Sequence, residues 1–476
     1  MKELAFAVFA TMLIASFSGC VSTNSGTTDF EIIDFDHVRA FGDVVELCAI
    51  GPRLSGTENE ARGTEYFVNQ FEDAGLSSVH IEYFEMTCYE VEHASLALVQ
   101  YDPLGLSEIS RTDFIHGEDF ILQGYSGSTN GAQSYEIIYG GDGTESAYSK
   151  IDTAGKAVIV QKNASISYSM AYLNAASDGA SVNIFHNTQI HTELDCPPIS
   201  FGATGKDSEG NTVTYPEAYP GKSIPSMMVS NATGQAMLDA INTTLLPSPI
   251  PNVPIVIYKL EIDVSVKVEK REIPVVVAEV KGKGDGFVMV GAHSDTTYVS
   301  PGAVDNTGGA CTVLEMARQL AYSKPKHTIR FALFSGEEEG LFGSTYYFKA
   351  HAQEINESLL SYLNLDMNHI DLTRGNSGSI NSNDNATLRM LGNITNRSVQ
   401  VHPNLAKFNI TFGWWNGLGG SDQTAFAVAG EKYACFWGSG ATEYHTIWDT
   451  VEHVIPEGLA PGGIIFGSYA LWLANN

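Results

Sequence analysis

Short apolar runs recur through the C-terminal half of the chain, at Phe287–Val290, Ile329–Phe334, Tyr362–Leu365 and Tyr433–Trp437. Each is continuous rather than alternating, the pattern of a strand covered on both faces. Between the first two, TGGACTVLEMARQLAYSK carries Ala310, Val313, Leu314, Ala317, Leu320 and Ala321 along one helical stripe. Strands alternating with such helices predict an α/β fold: a mixed, mostly parallel central sheet with helices on both faces.

The N-terminal half has a different texture. Ala61, Phe67, Phe71 and Ala74 fall at helical spacing, which predicts an amphipathic helix over Glu58–Ala74 stopped by Gly75. Strand-like segments follow through Val99. From about Asp113 to Leu238 come short strands, glycines and turns, with GKAVIV and SVNIF as strands and AYLNAASDGA as a helix between them. A main body at 35–112 and 245–476, interrupted by a small module at 113–244, accounts for this change. Pro247–Pro254, with four prolines in eight residues, reads as a stiff connector back to the main body.

The first twenty residues, MKELAFAVFATMLIASFSGC, predict an export signal: Lys2, then an apolar run from Leu4 to Phe17 too short to span a bilayer. Ser18-Gly19-Cys20 resembles a lipoprotein cleavage box, which makes Cys20 a candidate lipid attachment point. Residues 21–34 then form a tether. The expected location is outside the cell or on the outer face of its membrane. Acidic residues outnumber basic ones 55 to 26, a formal charge of −29, which argues against a nucleic-acid partner. Cys48, Cys88, Cys196, Cys311 and Cys435 show no metal-type spacing. Sequons such as Asn163, Asn231 and Asn393 are compatible with glycosylation.

The chemistry lies at the ends of the predicted strands. Val290 leads into His293 and Asp295, Phe334 into Glu337-Glu338-Glu339, Leu365 into Asp366, and Trp437, after a glycine turn, into Tyr444-His445. Asp305 precedes the helix that follows the first of these strands. Each residue alone has a plain explanation: Asp305 as a helix N-cap, His293 as a core histidine, Asp366 as turn chemistry, the acidic triplet as a solvated turn. Together they converge, because ligands of open α/β sheets bind at the carboxyl ends of the strands. Crowded carboxylates need counter-charge, and these motifs hold no Lys or Arg, so divalent metal is the economical solution.

Imidazole and carboxylate ligands suit zinc. Two ions about 3.5–4 Å apart can share a bridging carboxylate and a water. Three ligand carboxylates against two Zn²⁺ leave one net positive charge, which favours hydroxide over water and stabilises an oxyanion. Glu337, beside a ligand yet diverging from it, is then available as general base. On this reading the triplet holds a base, a ligand and a surface residue, in that order.

GAHSDT, SPGAVDNTGG, GEEEGLFGS, NLDM and YHTIWDT, in this order, resemble the motifs of the M28 family of zinc aminopeptidases. GPRLSGT (Gly51–Thr57) resembles the family's N-terminal signature. The resemblance implies His293, Asp305 and Asp366 on one zinc, with Asp305 bridging to Glu338 and His445 on the other. It implies Glu337 as base, Asp295 and Asp449 as carboxylates orienting the histidines, and Tyr444 as a hydrogen-bond partner of the substrate carbonyl. The implied substrates are peptides, cut at the N-terminus. GKAVIV, the helix ending in DGA and SIPSMMVSNATGQAML resemble a protease-associated (PA) domain, a module that commonly covers the active site. Ser294 and Gln423 depart from common family residues and bear on specificity. A carboxypeptidase of the same fold is the main alternative, since it would use the same metals and base. Glutaminyl cyclase and an inactive receptor-like relative fit less well. SPGAVDNTGG favours the aminopeptidase branch.

Overall fold

The computed structural model describes residues 30–188, 195–200, 204–247, 253–439 and 443–476. The export signal, Cys20, most of the tether and most of the proline connector lie outside them. Four parallel strands form the centre of the main sheet, in the order Tyr433–Trp437, Leu359–Leu365, Phe287–His293 and Thr328–Phe334. All four expected runs are therefore strands. The chain enters at Phe287–His293, crosses to Thr328–Phe334 on one side, then to Leu359–Leu365 on the other. The strand order reverses between Phe287–His293 and Leu359–Leu365, and a crevice opens there at the carboxyl ends.

Strands flanking these four make the sheet mixed. Ser377–Ser382 runs antiparallel to Tyr433–Trp437, and Ile257–Val280 antiparallel to Thr328–Phe334. Ile257–Val280 is long because it also pairs along its length with Ser77–Tyr101. That antiparallel ribbon leaves the main body, and its far end pairs with Gln133–Tyr139. Gln133–Tyr139, Ala157–Val160 and Val182–His186 run parallel in a second array, continued by Ser226–Val229 and Phe120–Leu122.

Helices cover both faces of the main sheet. Gly308–Leu320 carries the expected stripe, and Ala310, Val313, Leu314, Ala317 and Leu320 are buried. Its other faces are buried too, including Glu315, which forms a two-pronged pair with Arg39 at 2.8 Å per contact. The Ala460–Asn475 helix is buried over most of its length, which explains its lack of charge. Gly463 and Gly467 on this helix let Phe35 and Ile33 lie against it, where an added Cβ would come within 2.2 Å of either ring or methyl carbon. Residues 30–34 are accordingly not a tether: Ile33 is in the core, and its N–H donates to the Ser468 hydroxyl at 3.1 Å. The apolar periodicity of Ile33 and Phe35 is too short to announce this.

The amphipathic helix spans Glu58–Asp73, with Phe67 and Phe71 buried as expected. Ala61 is on its solvent side; Glu60, Gly63 and Thr64 face inward instead. Gly63 is needed there because the stem of Arg53 crosses it, 2.7 Å from where a Cβ would sit. All five cysteines of the described chain are free thiols. No helix among the described residues is long and apolar enough to cross a membrane.

Candidate metal centre

His293 ends its strand inside the crevice, and Asp366 follows the neighbouring strand. Asp305 arrives between them on the turn before the Gly308–Leu320 helix. Gly302, at φ 56°, makes that turn possible, since a Cβ there would sit 2.2 Å from the Asp305 carbonyl oxygen. The helix N-cap is Thr307, without a side-chain cap bond, so Asp305 is not serving as the cap. Its two carboxylate oxygens face different histidines: Oδ1 is 3.2 Å from His293 Nε2, and Oδ2 is 3.2 Å from His445 Nε2. Asp366 Oδ1 lies 3.7 Å from His293 Nε2, and Glu338 Oε2 lies 2.9 Å from His445 Nε2.

Two triads result. His293, Asp305 and Asp366 have ligand atoms within 4.8 Å of one another, as do Asp305, Glu338 and His445. Asp305 belongs to both. The donor set fits a pair of metal ions by two further observations. Glu338 Oε1 and Asp366 Oδ1 are buried without a hydrogen-bond partner, which is costly for carboxylate oxygens unless a cation meets them. No Lys or Arg among the described residues pairs with these carboxylates. Burial opposes ionisation of Asp305, yet the bonds from His293 and His445 hold it below the usual carboxylate range. The acids in turn hold both imidazoles well above their ordinary pKa against the effect of burial. Metal bound here would displace those protons.

The triplet splits three ways. Gly336, at φ 75°, turns the chain out of its strand into Glu337. Glu337 points into the crevice with Oε2 4.0 Å from His293 Nε2. Burial pushes its carboxyl well above the usual range; His293 opposes this, while Asp366 and Glu338 reinforce it. Glu338 turns to His445. Glu339 is not a surface residue: it is 2% exposed and accepts a 2.8 Å hydrogen bond from the Ser55 hydroxyl. Ser55 also approaches Ser335 Oγ at 3.3 Å, and Ser335 donates to buried Glu60. The Gly51–Thr57 loop, distant in sequence, closes over the triplet and buries its third member.

The carboxylates behind the two triads divide their work unevenly. Asp295 Oδ1 is 3.5 Å from His293 Nδ1, its carbonyl oxygen is 3.2 Å from the same nitrogen, and Oδ2 accepts from the Glu338 N–H at 3.2 Å. It therefore aligns a histidine and a glutamate at once. Asp449 does not orient a histidine. It accepts from the N–H groups of Val304 and Asp305, at 2.8 and 3.0 Å, and so fixes the residue shared by the two triads through its backbone. His445 Nδ1 meets instead the carbonyl of Ile199, 2.8 Å away. Tyr444 stacks on the His445 ring, centroids 3.6 Å apart, and stands at the mouth. Ser294 and Gln423 bond to backbone carbonyls, of Phe334 and of Gly419 at 2.7 Å respectively, and neither touches the triads.

Arg53 is a residue whose position the sequence motif announced but whose work it did not. Fully buried, it donates to the carbonyls of Ser294, Leu47 and Pro301 and to the Thr307 hydroxyl at 2.5 Å. It ties the His293 loop to the Asp305 loop.

Residues 275–464 match the profile of Peptidase family M28. Those residues are an M28 peptidase domain. Aminopeptidase YwaD of Bacillus subtilis is 25% identical over 442 residues, 90% of this chain and 83% of that protein. An aminopeptidase of Pseudomonas aeruginosa is 43% identical over 110 residues, 23% of this chain but only 20% of the relative's length. Among solved structures, BSAP, a zinc aminopeptidase from Bacillus subtilis, superposes with a TM-score of 0.69 at 20% identity, over 94% of this chain and 97% of that one. The aminopeptidase from Aneurinibacillus sp. strain AM-1 gives 0.64 at 21% identity, over 92% and 94%. These two structures share the fold over more than nine-tenths of the chain. The M28 domain supplies all five members of the two triads and Glu337.

Proposed function

We propose that the chain is a di-zinc aminopeptidase that releases N-terminal residues from peptides. His293, Asp305 and Asp366 would hold one Zn²⁺, and Asp305, Glu338 and His445 the other. Zinc there supplies positive charge that makes a water acidic near neutral pH and offsets the charge developing on the scissile carbonyl. Glu337 takes the proton of the attacking water and returns it to the leaving amine. Tyr444, at the mouth, hydrogen-bonds the substrate carbonyl, and Asp295 keeps His293 and the Glu338 backbone in register.

The observation that carries the reading is the character of the cavity beside the triads. About 410 Å³ in volume, it is walled by Glu337, Glu338 and Glu339 and by Tyr89 and Tyr125, with no Lys or Arg among its described lining. An acidic, aromatic cavity of this size favours a cationic α-amine with its side chain and repels an α-carboxylate. The relatives named as aminopeptidases support the same choice. Tyr125, Ile199 and Ser200 of the inserted segment form one wall, so the role proposed for residues 113–244, a PA module, is to shape access. Export, with a lipid on Cys20, completes the proposal.

Hydrolysis of aminoacyl p-nitroanilides by the purified protein tests it. Release that chelation abolishes, zinc restores and N-acetylation of the substrate blocks is the expected result. Cleavage of N-acetylated peptides from their C-termini would establish a carboxypeptidase instead.

A further inference from the structure

The two metal pockets are built with unequal self-sufficiency. His293 is oriented from within its own domain, by Asp295 two residues along. His445 is oriented from outside it. Its Nδ1–H donates to the Ile199 carbonyl at 2.8 Å, and its own carbonyl accepts from the Ile199 N–H at 2.9 Å. The first bond fixes the tautomer that leaves Nε2 free to face Asp305 and Glu338. The second holds a residue whose φ of 58° is left-handed, a conformation a non-glycine residue keeps only when its surroundings enforce it.

Ile199 is itself held. Gln123, fully buried in the inserted segment, brackets it: Oε1 accepts from the Ser200 N–H at 2.9 Å, and Nε2 donates to the Pro198 carbonyl at 3.3 Å. The backbone N–H of Gln123 donates to the Ser226 carbonyl at 2.9 Å, anchoring the bracket to the inserted sheet. Pro197 and Pro198 stiffen the strip ahead of Ile199. A relay therefore runs from the inserted sheet through Gln123 and the Ile199 backbone to one imidazole. No comparable contact from the inserted segment reaches His293 among the described hydrogen bonds.

We infer that Gln123 and Ile199 of the inserted segment are positioning residues for His445, so that this segment completes one metal pocket while leaving the other unaffected. The inference rests on the di-zinc reading. It adds to a role in substrate access a direct hold on metal affinity: docking of the strip and filling of the His445 pocket stabilise each other, by linkage.

The test is competitive titration of zinc against a fluorescent chelator, on the full metal-free chain. Gln123→Met keeps the bulk and loses both side-chain hydrogen bonds; Ile199→Pro deletes the N–H that the His445 carbonyl accepts. Asn174→Leu removes a comparable buried bond in the inserted segment, Nδ2 to the Gly143 carbonyl at 3.0 Å, which shares no partner with Gln123 or the strip. Both strip variants are expected to weaken one of two zinc equivalents about 10–100-fold and leave the other unchanged. Asn174→Leu should retain two tight equivalents. Unchanged binding in both strip variants overturns the inference, as does an equal loss at both equivalents or the same loss in Asn174→Leu. Wild-type protein that binds no zinc overturns the di-zinc reading and this inference with it, an outcome distinct from two tight sites that ignore Gln123.

Discussion

Arg53→Met should cost both stability and activity, and its structural environment gives the size. Methionine keeps most of the stem that fills the space over Gly63, so the change is confined to the guanidinium. Four side-chain hydrogen bonds disappear, to Ser294, Leu47, Pro301 and Thr307. The Thr307 hydroxyl still donates to the Pro301 carbonyl at 3.0 Å, so the uncompensated acceptors are the Ser294 and Leu47 carbonyls. Each buried acceptor left unmatched costs about 1–3 kcal/mol, and two give roughly 2–6 kcal/mol gross. Against this stands the burial of the guanidinium, which already depresses its pKa and is relieved on substitution. The net is about 3–5 kcal/mol, the usual range for removing one partner of a buried charged group. For a chain of this length that corresponds to a Tm lower by on the order of 3–5 °C. The same bonds tie the His293 and Asp305 loops together, so a small displacement of the bridging carboxylate follows and kcat/KM should fall about 10²-fold. Calorimetry and steady-state hydrolysis read the two effects. A variant that melts within about 2 °C of wild type and hydrolyses at full rate would refute the argument.

Glu337→Gln should reduce kcat by about 10²–10⁴-fold while metal analysis still finds two zinc ions, since it removes a base and no ligand; loss of zinc would reassign it as a ligand. Glu339→Gln, isosteric and still able to accept from Ser55, should retain zinc, whereas Glu338→Gln should weaken one equivalent; similar zinc loss in both would contradict the division of the triplet. Chelation should lower thermal stability by about 4 kcal/mol for each site that had been filled at a thousandfold excess over its Kd, read as a fall in melting temperature that zinc reverses. His369 accepts from the Ile455 N–H at 2.8 Å, and burial pushes its pKa down to about 4 from 6.5. Because the unfolded chain binds that proton first, the stability this neutral histidine contributes is fully present above about pH 6.5. It is lost as pH falls through about 4, about 3 kcal/mol in all; a His369→Asn variant with an unchanged pH profile of unfolding would exclude this residue as the cause.

The parts legible in the sequence were those written locally. Continuous apolar runs specified the four central strands, and the residue after each run specified what arrives at the crevice. That is why His293, Asp305, Glu338, Asp366 and His445 could be named together: topology alone brings strand ends to one place. What the sequence concealed depends on segments far apart along the chain. Glu339 reads as solvated because nothing in GEEEG reveals that Ser55 and Glu60 close over it. Asp449 reads as a histidine partner because its side chain, not its distance to two backbone N–H groups, is what a motif displays. Ile33 reads as tether because two apolar residues do not announce the glycines of a helix at the other end of the chain.

The same distinction separates the two histidines. His293 carries its orienting carboxylate in its own motif, so that any segment containing GAHSDT brings the pair together. His445 carries no such partner: Asp449, four residues on, is committed to the Asp305 backbone, and the vacant role falls to a main-chain carbonyl. A carbonyl orients an imidazole without adding a charge, which matters where five carboxylates already crowd two histidines. It also has no side-chain identity, so substitution at Ile199 itself leaves the bond intact unless the backbone changes. Control of that pocket therefore passes to whatever holds the strip, and the side chain that does so is Gln123. A histidine of the peptidase domain thus shares its orienting bond with a strip that a buried amide brackets in another part of the fold, through a contact that only the folded chain assembles.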